Sequence, residues 1–154
     1  MRIRSMLTCA LLLIIPVATP VAAEANQAGT ASTCTVGLDA LHYSGGAGGV
    51  IFKGRATCPG DTTMLFFGSL WRCPVRIDGG IPADWLNQGC VLVGDNNSER
   101  PMAAGRQETF YVPDVGKPGG TGGPWWNGWG AFRLKDQPPA EAVEIRTAPL
   151  EYTT

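Results

Sequence analysis

Histidine is nearly absent: one residue, His42, in a chain of 154. That leaves no room for a polyhistidine metal site. A Ser-His-Asp centre would have to use His42 with Ser44 or Ser69 as nucleophile, and neither serine lies in G-x-S-x-G. Asp39, three residues earlier, would point to the opposite face of a strand. No CxxC spacing occurs, which argues against a redox pair or a zinc site. An excess of either charge is missing too. With 12 Lys+Arg against 13 Asp+Glu, there is no electrostatic reason to expect nucleic acid or an anionic membrane as partner. Long runs free of Gly and Pro are scarce. After the first 23 residues the longest is Ala140–Ala148, nine residues, against a typical helix of about 11–12, so an all-helical domain is excluded. There is no internal repeat, and the length suits one domain.

What is present begins with an address. Residues 1–23 read as a secretory signal peptide: Arg2 and Arg4, an apolar run from Met6 to Ile15, helix-breaking Pro16 and Pro20, then Val21-Ala22-Ala23 at the cleavage positions. The run is too short to span a bilayer, so no membrane span is expected after cleavage. Residues 24–32 are small and polar and are expected to form a disordered leader. Residues 33–154 then form the single domain, in a secreted, extracellular protein. All 21 glycines lie in the exported part.

Export implies an oxidising compartment, where Cys34, Cys58, Cys73 and Cys90 would pair. Four cysteines allow three pairings. The midpoint between Cys34 and Cys58 falls in Gly45-Gly46-Ala47-Gly48-Gly49, a turn that would fold Thr35–Tyr43 against Val50–Thr57. The midpoint between Cys73 and Cys90 lies beside Gly79-Gly80, again a turn, whereas that between Cys58 and Cys73 lies in Met64-Leu65-Phe66-Phe67, a strand. The expected disulfides are therefore Cys34–Cys58 and Cys73–Cys90, each adding roughly 3–4 kcal/mol by restricting the unfolded chain.

Strand signals fill the rest. Cys34, Val36 and Leu38 alternate with polar or small residues, as do Val50, Phe52, Ala56 and Cys58. Thr62–Cys73 is apolar on both faces and suits a central strand covered on both sides for part of its length. Cys90–Val93, Arg106–Val112, Gly130–Leu134 and Ala142–Thr147 bring the count to seven or eight. Pro82–Gln88 suits one helical turn started by Pro82. Trp71 and Trp85, among apolar neighbours, are expected in the core. The pattern is that of an antiparallel β-sandwich.

Gly54-Arg55-Ala56-Thr57-Cys58, followed by an apolar strand ending in Leu70-Trp71-Arg72-Cys73, resembles small exported bacterial proteins with an immunoglobulin-like sandwich. Ala104-Gly105-Arg106 leading into Phe110-Tyr111-Val112 is similar to the start of a late strand in such domains. The resemblance covers about half the exported chain and implies an immunoglobulin-like fold and export, with no activity attached. A long Gly/Trp insertion departs from it.

That insertion is the segment most suggestive of function. A glycine-rich run, Gly116 to Pro124, precedes Trp125-Trp126-Asn127-Gly128-Trp129, which holds three of the five Trp. Asn127-Gly128 is a tight-hairpin signal, and Trp126 and Trp129 would flank the turn. Two readings follow: the rings fold back to cap an open end of the sandwich, or they form a ligand-binding tip, since indole faces stack on sugars, aromatics and cations. In the second reading Trp125, Trp126, Trp129 and Tyr111 make the contact, with Lys117 and Arg133 as polar companions.

Asp95, Asn97 and Glu99 alternate as calcium ligands can, but the glycine and later carboxylate of the helix–loop–helix calcium motif are missing, so a polar turn is expected. Asn96-Asn97-Ser98 matches a glycosylation acceptor. No metal or cofactor is implied. The expectation is non-catalytic binding of an extracellular ligand, carbohydrate or protein. Its rivals are a protease or glycosidase inhibitor, a small hydrolase using carboxylates such as Asp78, Asp84 and Glu108, and a structural envelope component.

Overall fold

The computed structural model describes residues 28–31, 34–114 and 122–153. The expected signal, residues 1–23, lies outside the described residues, as do the first residues of the expected leader. The elements run β1 (Ala28–Ala31), β2 (Cys34–Leu38), β3 (His42–Ser44), β4 (Gly49–Thr57), β5 (Thr62–Cys73), α1 (Pro82–Asn87), β6 (Val91–Met102), β7 (Gln107–Val112), β8 (Trp125–Leu134), a 3-10 turn (Pro139–Glu141), β9 (Val143–Arg146) and β10 (Leu150–Glu151). Among the described residues there are ten strands where seven or eight were expected. Four residues of the expected leader are not free coil: they pair as β1 with β2, Ala31 opposite Cys34.

The strands form two antiparallel five-stranded sheets. In the first, β2 and β3 lie along one edge of β4 and β7 along the other, with β1 outside β2. In the second, β5 lies between β6 and β8, and β9 and β10 flank β8. The glycine turn after Ser44 sets the first hairpin, with Thr35 opposite Thr57. Cys34 and Cys58, the next residues outward, are bonded. Cys73 and Cys90 are bonded as well, across the segment that carries α1. Both pairings agree with the midpoint argument.

The main core lies between the sheets and includes Val36, Phe52, Phe66, Phe110, Phe132 and Ile145. Phe66 sits 4.9 Å from Phe110 and 4.8 Å from Phe132 between ring centroids. Room for these rings comes from glycine. A Cβ on Gly54 would stand 2.7 Å from Phe66, and one on Gly68 would stand 2.5 Å from Val112. Part of the glycine content therefore serves close packing of the sheets, not turns.

Strand β5 is covered on both faces over Leu70–Cys73, part of its length as its composition implied, whereas Phe67 is exposed. Met64, Phe66 and Leu70 face the main core. On the opposite face Trp71 and Cys73 join Ile77, Trp85 and Cys90 in a second cluster, with Trp125 and Trp129 packed against it. The short helix α1 has Pro82 at its start and sinks Trp85 into this cluster. The Trp85 indole donates to the Gly79 carbonyl at 2.7 Å.

Candidate functional site

The Trp-rich segment does not form a hairpin. Asn127 and Gly128 lie inside β8, a ten-residue strand, and this corrects the expected turn. The letters that mark a turn here answer packing demands. A Cβ on Gly128 would meet Thr147 at 2.9 Å and Phe52 at 3.0 Å. Asn127 is buried with its amide 3.2 Å from the Cys73 sulfur.

Because a strand alternates its side chains, Trp126 and Trp129 cannot share a face. Trp126 is buried in the main core and donates its indole N–H to the Tyr152 carbonyl at 3.2 Å, with Arg72 4.9 Å from its ring centroid. Trp125 and Trp129 are half-buried and pack on the second cluster, outside the sandwich. Tyr111 is exposed on β7 of the other sheet, with the Lys53 ammonium 5.3 Å from its ring centroid. Arg133 lies four residues beyond Trp129 on β8 and donates to the Gln137 carbonyl. Lys117 lies outside the described residues. The single tip proposed from sequence thus divides: two indoles on one face, a third in the core, and the tyrosine across the molecule.

The structure instead builds a cleft on the outer face of the second sheet. Its volume is about 440 Å³. The sheet supplies Phe67, Ser69 and Trp71 from β5, Leu92, Asp95 and Asn97 from β6, Trp129 from β8 and Glu144 from β9, and one wall is Ile81, Pro82 and Ala83 at the start of α1. Phe67 is 40% exposed and Leu92 52%. Both cleft indoles are tied by their N–H groups: Trp71 to the Ser69 hydroxyl at 2.8 Å, Trp129 to the Glu144 carboxylate at 3.3 Å. Those bonds fix the rings before any ligand arrives.

Of this site the sequence offers Trp129 as a ligand contact and Ser69, Asp95 and Asn97 only in other roles; Phe67, Leu92 and Glu144 it does not single out. The signal for Phe67, Ser69 and Trp71 is the outer alternation of β5. Asp95–Glu99 is not a turn. It continues β6, with Asp95, Asn97 and Glu99 outward and Asn96 inward. The polar run is tolerated because β6 is an edge strand and Asn96 bridges to the neighbouring sheet, its amide donating to the Tyr111 carbonyl at 2.7 Å. That amide is buried, so the glycosylation acceptor is not accessible in the folded protein. Among the described residues no group of three His, Cys, Asp or Glu is placed to hold a metal.

The other candidates are dispersed. Asp39 accepts a bidentate contact from Arg55, Nε to Oδ1 at 2.7 Å and Nη2 to Oδ2 at 2.7 Å, and this hydrogen bonding raises the Arg55 pKa above its ordinary value. The His42 Nδ1 contacts the Ala40 carbonyl at 3.0 Å. Asp78 pairs with Arg76, Asp84 accepts from the Ile81 backbone at the head of α1, and Glu108 sits on β7.

No protein-family model, curated protein or solved structure matches this chain. The cleft's chemistry therefore carries the functional argument alone.

Proposed function

We propose that this chain is an exported, non-catalytic binding module that holds carbohydrate in the outer-face cleft. The observation that carries the reading is the set of three aromatic side chains, Phe67, Trp71 and Trp129, lining one cleft with Ser69, Asn97, Asp95 and Glu144 as hydrogen-bonding groups. Sugar rings present apolar C–H faces and a rim of hydroxyls. Aromatic faces suit the first and carboxylates and amides the second. Indoles already anchored by their N–H groups lose little freedom on binding.

An immunoglobulin-like architecture fits the strand order. The chain passes from β4 to β5 in the second sheet, turns back as β6, returns as β7 beside β4, then crosses again to β8 beside β5. That is a Greek-key path between two sheets. Export is supported by the residue pattern of positions 1–23 and by the two disulfides. No described helix is long and apolar enough to cross a membrane.

The test is titration of the purified protein with a glycan panel, read by Trp fluorescence and calorimetry. Binding that is lost in Trp129→Ala and kept in Tyr111→Ala, on the opposite sheet, supports the cleft. No response across neutral, basic and acidic glycans refutes it. A second reading, an enzyme inhibitor, is favoured by one observation. Val75, Ile81, Leu86, Val91 and Leu92 are exposed in or just beyond the disulfide-closed segment, as in a rigid loop offered to another protein. Tight inhibition of a secreted hydrolase, lost in Leu86→Asp, would favour it.

A further inference from the structure

The charge on the cleft wall selects among sugars. Among the described residues two carboxylates line it, Asp95 and Glu144, and no Lys, Arg or His does. Among the described residues neither carboxylate joins an ion pair: the Arg and Lys side chains that form ion pairs meet Asp39, Asp78, Asp114 and Glu99. The nearest cation by register is Arg146, opposite Trp129 on β9, but it is half-buried, outside the lining and already engaged. Among the described residues, an occupant therefore meets aromatic rings together with two carboxylates outside any ion pair.

Resting on the carbohydrate reading above, we infer that the preferred ligand is an amine-bearing saccharide, of the glucosamine type, with its amino group protonated. The apolar face of the sugar packs on Trp129 and Phe67. Asp95 on β6 and Glu144 on β9 stand at opposite sides of the cleft with β5 and β8 between them, so amino groups on different sugar units pair with each, and gain from the neighbouring aromatic rings as any cation does. Ser69 and Asn97 serve the hydroxyls. A uronate in either place would face a like charge, and an N-acetylated sugar of the same backbone would lose the charge pairing. Exposed pairs are individually weak, so the preference of the free amine over its acetylated form is on the order of tenfold in Kd.

Calorimetry with the disulfide-bonded protein separates the possibilities. The probes are a glucosamine hexamer, the N-acetylglucosamine hexamer of the same linkage, and an oligogalacturonate, at a pH where the amines are protonated. The expected result is tightest binding of the free amine, weakest of the uronate, and a gap between the first two that shrinks as salt is raised. The gap closes in D95N/E144Q, with Asp95→Asn alone as the check should the double variant fold poorly. Equal or tighter binding of the acetylated hexamer, or a gap that survives both variants, overturns this inference and leaves the carbohydrate seat standing. No binding of any probe refutes the seat itself.

Discussion

The Cys73–Cys90 bridge holds the wall of the cleft, whereas Cys34–Cys58 ties two strands that already pair, and removing each should show it. The bridges span 17 and 24 residues of sequence. By loop-closure entropy, loss of either destabilises the fold by about 3 kcal/mol, and the two values differ by less than about 0.5 kcal/mol. Global stability therefore does not tell them apart, but local opening does. α1 is six residues long, too short to persist alone, and besides the bridge it is held mainly by Trp85. The indole proton of Trp85, bonded to the Gly79 carbonyl, reports whether this segment is closed. In C73A/C90A, its hydrogen exchange should accelerate more than that of a core amide of β5, raising the ratio of the two rates, because the segment can then open without the rest of the fold. In C34A/C58A, that ratio should not rise. Binding at the cleft should follow the same asymmetry, since Ile81, Pro82 and Ala83 form its wall. An unchanged Trp85 ratio in C73A/C90A would mean that burial of Trp85, not the bridge, closes the segment, and the argument would fail.

Gly68→Ala should destabilise the protein by about 1–3 kcal/mol in urea unfolding, because the new methyl meets Val112 at 2.5 Å and Phe66 at 2.7 Å. Gly60→Ala, with nothing within 4 Å of the added Cβ, should change stability by less than about 0.5 kcal/mol. Asn96→Ala should cost about 1–3 kcal/mol, since it leaves the Tyr111 carbonyl without its bridge between the sheets. Arg55→Lys loses the bidentate contact to Asp39, yet the pair is partly exposed. Thermal unfolding should therefore register a loss below about 1 kcal/mol.

What could be read from the sequence was what local geometry forces. A glycine turn midway between Cys34 and Cys58 brings them together whatever else the chain does. An apolar run as long as β5 has to be covered on both faces for part of its length, here Leu70–Cys73. The misreadings share one cause: a residue letter records a requirement without saying which. Asn127-Gly128 satisfies a hairpin's need for positive φ, and it also satisfies a buried strand's need for a missing side chain beside Phe52 and for a small amide beside Cys73. A single sequence does not separate these demands, because the second depends on strands far away in the chain. The same holds for Asp95–Glu99, where a polar run suits a turn or an edge strand whose buried Asn reaches across to the next sheet. The cleft is the extreme case. Its aromatic and acidic groups run from Phe67 to Glu144 over four strands, so no window of sequence contains it. Only the register of β5 with β6 and β8, and of β8 with β9, places them side by side. A function carried by a sheet face is invisible to motif reading for that reason, even where each strand has been located correctly.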